Sequence, residues 1–357
     1  MSMSPAARKW GRVAAWVVTF AVICVLPLTL PAFRVDQIAI WMTLAMAACG
    51  LNLLTGYNGQ ISVGHGALYG AGAYATAIFM VKVGWPMFPA ALIAVVISFL
   101  LGIAIGLPAL RIKGLYLALV TLAVAVLFPL VIEQFSSITG GGAGLTITTP
   151  QVNRRGAVVD QKIEFGDMAG LKGDQVRYFL VLAIAVVCFV LARNLVKSRV
   201  GRSLVAIRDN ETAASVSGVP VSLVKILTFG VSSAMAGLGG AMYALVNGQV
   251  NLTSFTIALS ISLLVAVVVG GASSIIGPAI GAVLLGAFND FVTLPEGLAG
   301  AKPVVLGAIL ILLMFFAPGG LVGLYKTTMA KRAGRQARGD GGEPAMPSAF
   351  AAEQLAP

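Results

Sequence analysis

Apolar residues run through this chain in long blocks, each about the length that crosses a bilayer and each closed by glycine, proline or a few charges. The blocks lie at approximately residues 13–33, 37–54, 61–81, 88–107, 115–135, 178–195, 223–246, 257–274, 277–294 and 303–321. This pattern predicts about ten transmembrane helices. Arg8, Lys9 and Arg12 before the first block give it the outline of a signal peptide, but Pro27, Pro31 and Phe33 stand where a cleavage site belongs. The first block is therefore read as a retained span.

One polar stretch, Lys197 to Lys225, interrupts the blocks with a helical pattern of its own. Leu204, Val205, Ile207, Ala213, Ala214 and Val216 form an apolar face, and Arg202, Arg208, Asp209, Asn210 and Glu211 supply the polar remainder. Gly218 followed by Pro220 predicts the stop. Two readings stay open, a solvated loop helix and a docking helix for a cytoplasmic partner.

Composition sharpens the class. The chain is 58% hydrophobic and 10% charged, whereas soluble domains carry about 25% charged residues. An all-α polytopic membrane protein follows. The net charge of +11 does not point to nucleic acid, because the basic residues stand dispersed at block ends without groove-reading motifs.

Charge instead sets topology. With the N-terminus inside, the inner segments hold Arg8, Lys9, Arg12, Arg111, Lys113, Arg193, Lys197, Arg199, Arg202, Arg208, Lys225, Lys326, Lys331, Arg332, Arg335 and Arg338, and the short outer loops hold Arg34, Lys82 and Lys302. The positive-inside rule then places both termini in the cytoplasm. Residues 1–326 form the transmembrane domain, with 136–176 a small outer cap and 197–222 a cytoplasmic loop; 327–357, rich in Gly, Ala, Pro and Arg, reads as a disordered cytoplasmic tail.

An odd number of spans per half inverts the second half relative to the first. Asn58-Gly59-Gln60 follows the second block and Asn247-Gly248-Gln249 the seventh, equivalent places in two halves of five. A tripeptide match arises readily by chance, but its placement raises a 5+5 inverted repeat, in which the transport path lies at the repeat interface.

Candidate path residues cluster between Leu51 and Tyr74, where glycines alternate with uncharged polar groups. Asn52, Gly59, Gln60, Ser62, Gly64, His65, Gly66 and Tyr69, with Asn247 and Gln249 from the second tripeptide, form the candidate translocation path. Glycine-mediated helix packing is the competing account of the same segment. His65, the one histidine, has no companions for a metal set and is given no proton-transfer role. Asp36, Glu133, Asp290 and Glu296 fall near predicted outer ends, which disfavours a proton-coupled carrier. Cys24, Cys49 and Cys188 lie in apolar blocks without metal or disulfide spacing. Phosphate-loop, zincin and nucleophile-elbow motifs are absent, so no catalytic centre and no cofactor of its own is expected.

Three separated runs carry a resemblance. They are Gly59 to Tyr74 (G-Q-I-S-V-G-H-G-A-L-Y-G-A-G-A-Y), Gly201 to Val219 (G-R-S-L-V-A-I-R-D-N-E-T-A-A-S-V-S-G-V) and Val268 to Ala282 (V-V-G-G-A-S-S-I-I-G-P-A-I-G-A). In this order they resemble the permeases of branched-chain amino-acid ABC importers, the LivM-like branch, over about Asp36 to Leu324. The resemblance implies a type II importer-like fold and a multi-pass protein of the bacterial inner membrane. It also implies a heterodimer with a second related permease, two cytoplasmic ATPase subunits that hold ATP, and a periplasmic binding protein. The coupling segment resembles the E-A-A-x3-G loop of import permeases: Ala213, Ala214 and Gly218 keep the spacing, and Glu211 is displaced by one position. Arg202, Arg208, Asp209, Glu211, Ala213, Ala214 and Gly218 are accordingly the candidate coupling residues.

The expected function is a non-catalytic permease subunit for branched-chain or similar small amino acids. A permease of the same class for urea, short amides or aromatic acids and a self-sufficient channel or facilitator remain as alternatives.

Overall fold

The computed structural model describes residues 21–110, 114–152, 158–162 and 171–291, with 304, 307–308 and 319–324. Residues 1–20, which include the start of the first block, the last block apart from those few positions, and the tail lie outside the described residues.

Residues 21–29 are helical, and α1 (Ala32–Asn52) follows, ending in a π-helical turn at Leu53–Tyr57. Next come α2 (His65–Val81), α3 (Met87–Ala109), α4 (Leu115–Gln134) and the one-turn α5 (Ser136–Thr139). Three short strands, β1 (Leu145–Thr146), β2 (Thr148–Val152) and β3 (Val158–Lys162), lead to α6 (Gly173–Lys197). Two polar helices, α7 (Arg199–Asp209) and α8 (Glu211–Val216), precede α9 (Val221–Asn247). Strand β4 (Gln249–Val250), α10 (Ile257–Gly270) and α11 (Gly277–Phe291) complete the described chain. Helices α1, α3 and α9 each start directly after a proline, Pro31, Pro86 and Pro220, whose missing N–H costs nothing at a helix start.

Among the described residues five helices are long and apolar enough to cross a membrane: Ala32–Tyr57, Met87–Pro108, Tyr116–Gln134, Gly173–Lys197 and Val221–Asn247. The outer faces agree with that. Phe88, Leu92, Val96 and Leu100 stand exposed at four-residue intervals along α3, a stripe suited to lipid or to another apolar helix.

Helix α9 is the hub, and its glycines explain why. A side chain at Gly237 would strike Ser98 of α3, at Gly239 the Thr43 carbonyl of α1, and at Gly240 the Tyr69 carbonyl of α2. One helical turn thus receives three neighbours at close contact, two of them through their backbone, the small-residue packing that substitutes for hydrophobic association inside lipid. Helix α6 lies on α1, and Tyr178 Oη donates to the Ile23 carbonyl (2.9 Å), tying residues 21–29 to it.

The structure revises several boundaries. The third predicted span starts at His65, since Asn58–Gly64 is non-helical; the eighth stops at Gly270 before a turn. The polar stretch is two helices rather than one, because Asn210 adopts an extended conformation (φ −158°, ψ 107°) and its side chain caps α8. The expected outer cap contains the β2–β3 hairpin, while β1 pairs with β4 so that Leu145 faces Val250 beside the end of α9. The strands are small additions to an otherwise helical chain.

Candidate functional site

The α7–α8 pair is built to be held on one face and open on the other. Ser198 caps α7, its Oγ accepting from Val200 N (3.1 Å). Gly201, Leu204 and Ile207 turn inward, and Arg202 outward. Asn210 Oδ1 accepts from Ala213 N (3.0 Å) to start α8, whose Ala214 is buried. Gly218 stops it in the left-handed conformation (φ +83°), with Val219 N donating to the Ala214 carbonyl (3.1 Å). Ala213 and Val216 remain exposed, Val216 at 84%.

Two cations anchor this pair to the bundle. Lys225 of α9, buried, meets Glu211 Oε2 at 2.8 Å and fixes α8. Arg208 of α7 is the other anchor. Its Nη1 donates to the Gly56 carbonyl (3.0 Å) and Ser273 Oγ (2.8 Å), and its Nε and Nη2 donate to Asp209 Oδ1 (3.0 and 2.9 Å). Ser273 Oγ in turn donates to the Gly56 carbonyl (2.6 Å). Asn52 completes the junction, accepting from Ser273 N (3.0 Å) and donating to the Ser274 carbonyl (2.9 Å). Beside these anchors Asn58, Gly59, Gln60, Arg208, Glu211 and Lys225 help to line a cavity of about 220 Å³. Coupling and path candidates therefore meet at one end of the bundle.

Ser62, Gly64, His65, Gly66 and Tyr69 are buried in the protomer. His65 Nε2 lies 2.6 Å from Ser232 Oγ, which spends its proton on the Gly50 carbonyl (2.6 Å). A hydroxyl has one proton, so His65 donates through Nε2 and accepts from Ser62 Oγ (3.0 Å) at Nδ1. Gly66 N donates to Ser260 Oγ of α10 (3.0 Å), and Tyr69 Oη to Thr43 Oγ1 of α1 (2.8 Å), whose own proton goes to the Ile40 carbonyl (2.7 Å). A side chain at Gly64 would meet the Thr121 carbonyl of α4. These groups stitch α1, α2, α4, α9 and α10 together.

Both tripeptides share a local geometry. Gly59 and Gly248 are left-handed (φ +72° and +67°), and each asparagine reaches the glutamine two positions on, Asn58 Nδ2 to Gln60 Oε1 (2.9 Å) and Asn247 Nδ2 to the Gln249 carbonyl (2.7 Å). Gly59 is exposed, Gln60 buried, Asn247 and Gln249 half-buried. The first tripeptide lies against Arg208, before α9 begins, and the second at α9's far end.

Sequence reading missed Ser232, Ser260, Ser273 and Lys225 as site residues. Lys225 and the serines are polar positions inside apolar blocks, but an isolated serine in a membrane helix is unremarkable until its partner is known.

The family model described as branched-chain amino acid transport system / permease component matches residues 34–316. The chain is 28% identical to the high-affinity branched-chain amino acid transport system permease protein LivM of Salmonella typhimurium, over 86% of this chain and 73% of the relative. It is 27% identical to the corresponding LivH of Escherichia coli over 81% of this chain and 94% of the relative. The BraD permease of Pseudomonas aeruginosa matches at 24% identity, over 81% and 94%. No solved structure matches the chain.

Proposed function

We infer the role of this chain from its membership: it belongs to the branched-chain amino acid transport permease family, and its part in that system is the membrane-crossing one. It is a permease subunit of an ATP-binding-cassette importer that carries branched-chain or similar small amino acids across the membrane.

The finer reading concerns drive and path. The α7–α8 pair, with Arg202, Ala213 and Val216 outward and Arg208 and Glu211 anchored inward, is the coupling element on which a cytoplasmic ATPase seats. This half-held, half-open helix pair is the observation that carries the proposal. ATP binding and hydrolysis by the partner then bias two access states through differential contact with that surface. The chain itself performs no chemistry. Its counterpart across the path is a second, related permease, as the similarity to both LivM and LivH supports.

The path runs along the protomer surface backed by the seam from Gly59 to Tyr69. Asn52, Ser62, His65 and Tyr69 set that wall rather than touch the permeant, while Gly59, Asn247 and Gln249 stand at its two ends. A ten-span, 5+5 inverted arrangement is supported by the matching left-handed glycines and Asn-to-Gln bonds at opposite ends of α9. Co-reconstitution in liposomes tests the reading. ATP-dependent uptake is expected only when the second permease, the ATPases and the binding protein are all present; flux through this chain alone would identify a facilitator instead.

A further inference from the structure

We propose that Arg208 is a positioning residue that passes movement of the α7–α8 pair into the end of α1 and the α10–α11 turn. The proposal rests on the ATP-coupled reading above and names the contact through which coupling enters the membrane-embedded bundle.

The guanidinium is a planar fork of five donors, able to hold several acceptors at fixed angles. Here it grips three elements at once: Asp209 on its own helix, the Gly56 carbonyl in the π-helical turn, and Ser273 in the turn after α10. Single π-helical turns are rare and occur frequently at functional sites. The Gly56 carbonyl there accepts from both Arg208 and Ser273.

Ser273 is the one non-glycine residue at positive φ (63°) among the described residues. Such a backbone persists only where its surroundings over-determine it. Asn52 holds Ser273 N and the next carbonyl, and Arg208 with Gly56 holds the hydroxyl. Loss of the guanidinium removes one of those restraints. The stem of Arg208 also lies over Gly59, where a β-carbon would come within 2.9 Å of its Cγ.

The second anchor makes the first one sensitive. Glu211 pins α8 to Lys225 of α9 (2.8 Å), and extended Asn210 separates α8 from α7. Tilting α7 about Asn210 therefore pulls on the Arg208 contacts while the α8 contact stays in place.

The full transporter in liposomes decides the matter, using uptake per ATP hydrolysed and thiol labelling of Ile61→Cys, which is surface-exposed at 41%, in a background lacking Cys24, Cys49 and Cys188. In Arg208→Gln, ATPase subunits are expected to co-purify and hydrolyse ATP, with uptake per ATP reduced about tenfold, the scale of one lost charge-assisted hydrogen bond biasing a two-state equilibrium. Ser273→Ala is expected to reduce it less, and the double variant to lose less than the sum of the two single losses, because both changes cut the Arg208–Ser273 contact. Nucleotide-dependent labelling at Ile61→Cys should disappear with the arginine. Wild-type uptake per ATP, additive losses or persistent nucleotide-dependent labelling in Arg208→Gln would overturn the proposal. Should that variant not assemble, Arg208→Lys decides, since one ammonium cannot span the three acceptors: wild-type coupling there refutes the idea and a partial loss supports it. ATP-independent uptake by the unaltered transporter would instead refute the importer reading itself.

Discussion

His65 is held by serines on both ring nitrogens, and its place in the seam decides what substitution there does. Hydrogen bonds between membrane helices contribute about 0.6 kcal/mol on average and up to about 1.7. Ser232 makes two, to His65 and to the Gly50 carbonyl, so Ser232→Ala is expected to cost about 1 kcal/mol, read as a lower thermal midpoint of the purified complex. An unchanged midpoint would mean that the bonded chain contributes nothing. Gly66 is more sensitive. Its missing β-carbon would sit 2.5 Å from Ser260 Oγ and 2.8 Å from Ser260 N, so Gly66→Ala forces α2 and α10 apart at about 1–3 kcal/mol. Assembled protein and uptake should then fall together. Uptake lost at full assembly would instead put the permeant against this residue.

At the scale of elements, α8 is short, exposed and stopped by one backbone conformation. A β-carbon at Gly218 would meet nothing within 4 Å, so the cost of Gly218→Val comes from its φ of +83° alone, about 1–2 kcal/mol. The α8 surface should fray, with uptake per ATP reduced and membrane insertion intact; Gly218→Asn, which tolerates this conformation, should keep most coupling. Equal behaviour of the two variants would separate the cap from coupling. This stop was legible in the sequence because Gly-x-Pro after an amphipathic stretch has a local cause. The break at Asn210 was not, since Asp-Asn-Glu also continues a polar helix face; the extended backbone is fixed by the Asn210 cap and by Lys225 gripping Glu211 from another helix. For the same reason the glycine-rich segment after Leu51 was visible as close packing, while its partners Ser232 and Ser260 were not. Their meaning resides in contacts across 167 and 194 positions of chain.

At the scale of the molecule, coupling requires one particular end of the bundle to face the ATPase. Arg208 with the first tripeptide lies at one end of α9, while the second tripeptide and the β1–β4 pair lie at the other. The basic residues favour the first end as cytoplasmic, because translocating them costs more than leaving them inside. Val216 and Thr253 report the two ends, both exposed, and neither belongs to an anchoring contact of the coupling pair. Cysteines placed there singly, Val216→Cys and Thr253→Cys, in a background lacking the three native thiols, are expected to react from opposite sides. A membrane-impermeant reagent added to intact cells should label Thr253→Cys and leave Val216→Cys until the membrane is opened. Helix α9 connects the two probes in a single crossing, so labelling of both from one side would remove α9 as a span. The reversed pattern would carry the α7–α8 pair outside, out of reach of any ATP-hydrolysing partner, and the coupling mechanism would fall with it.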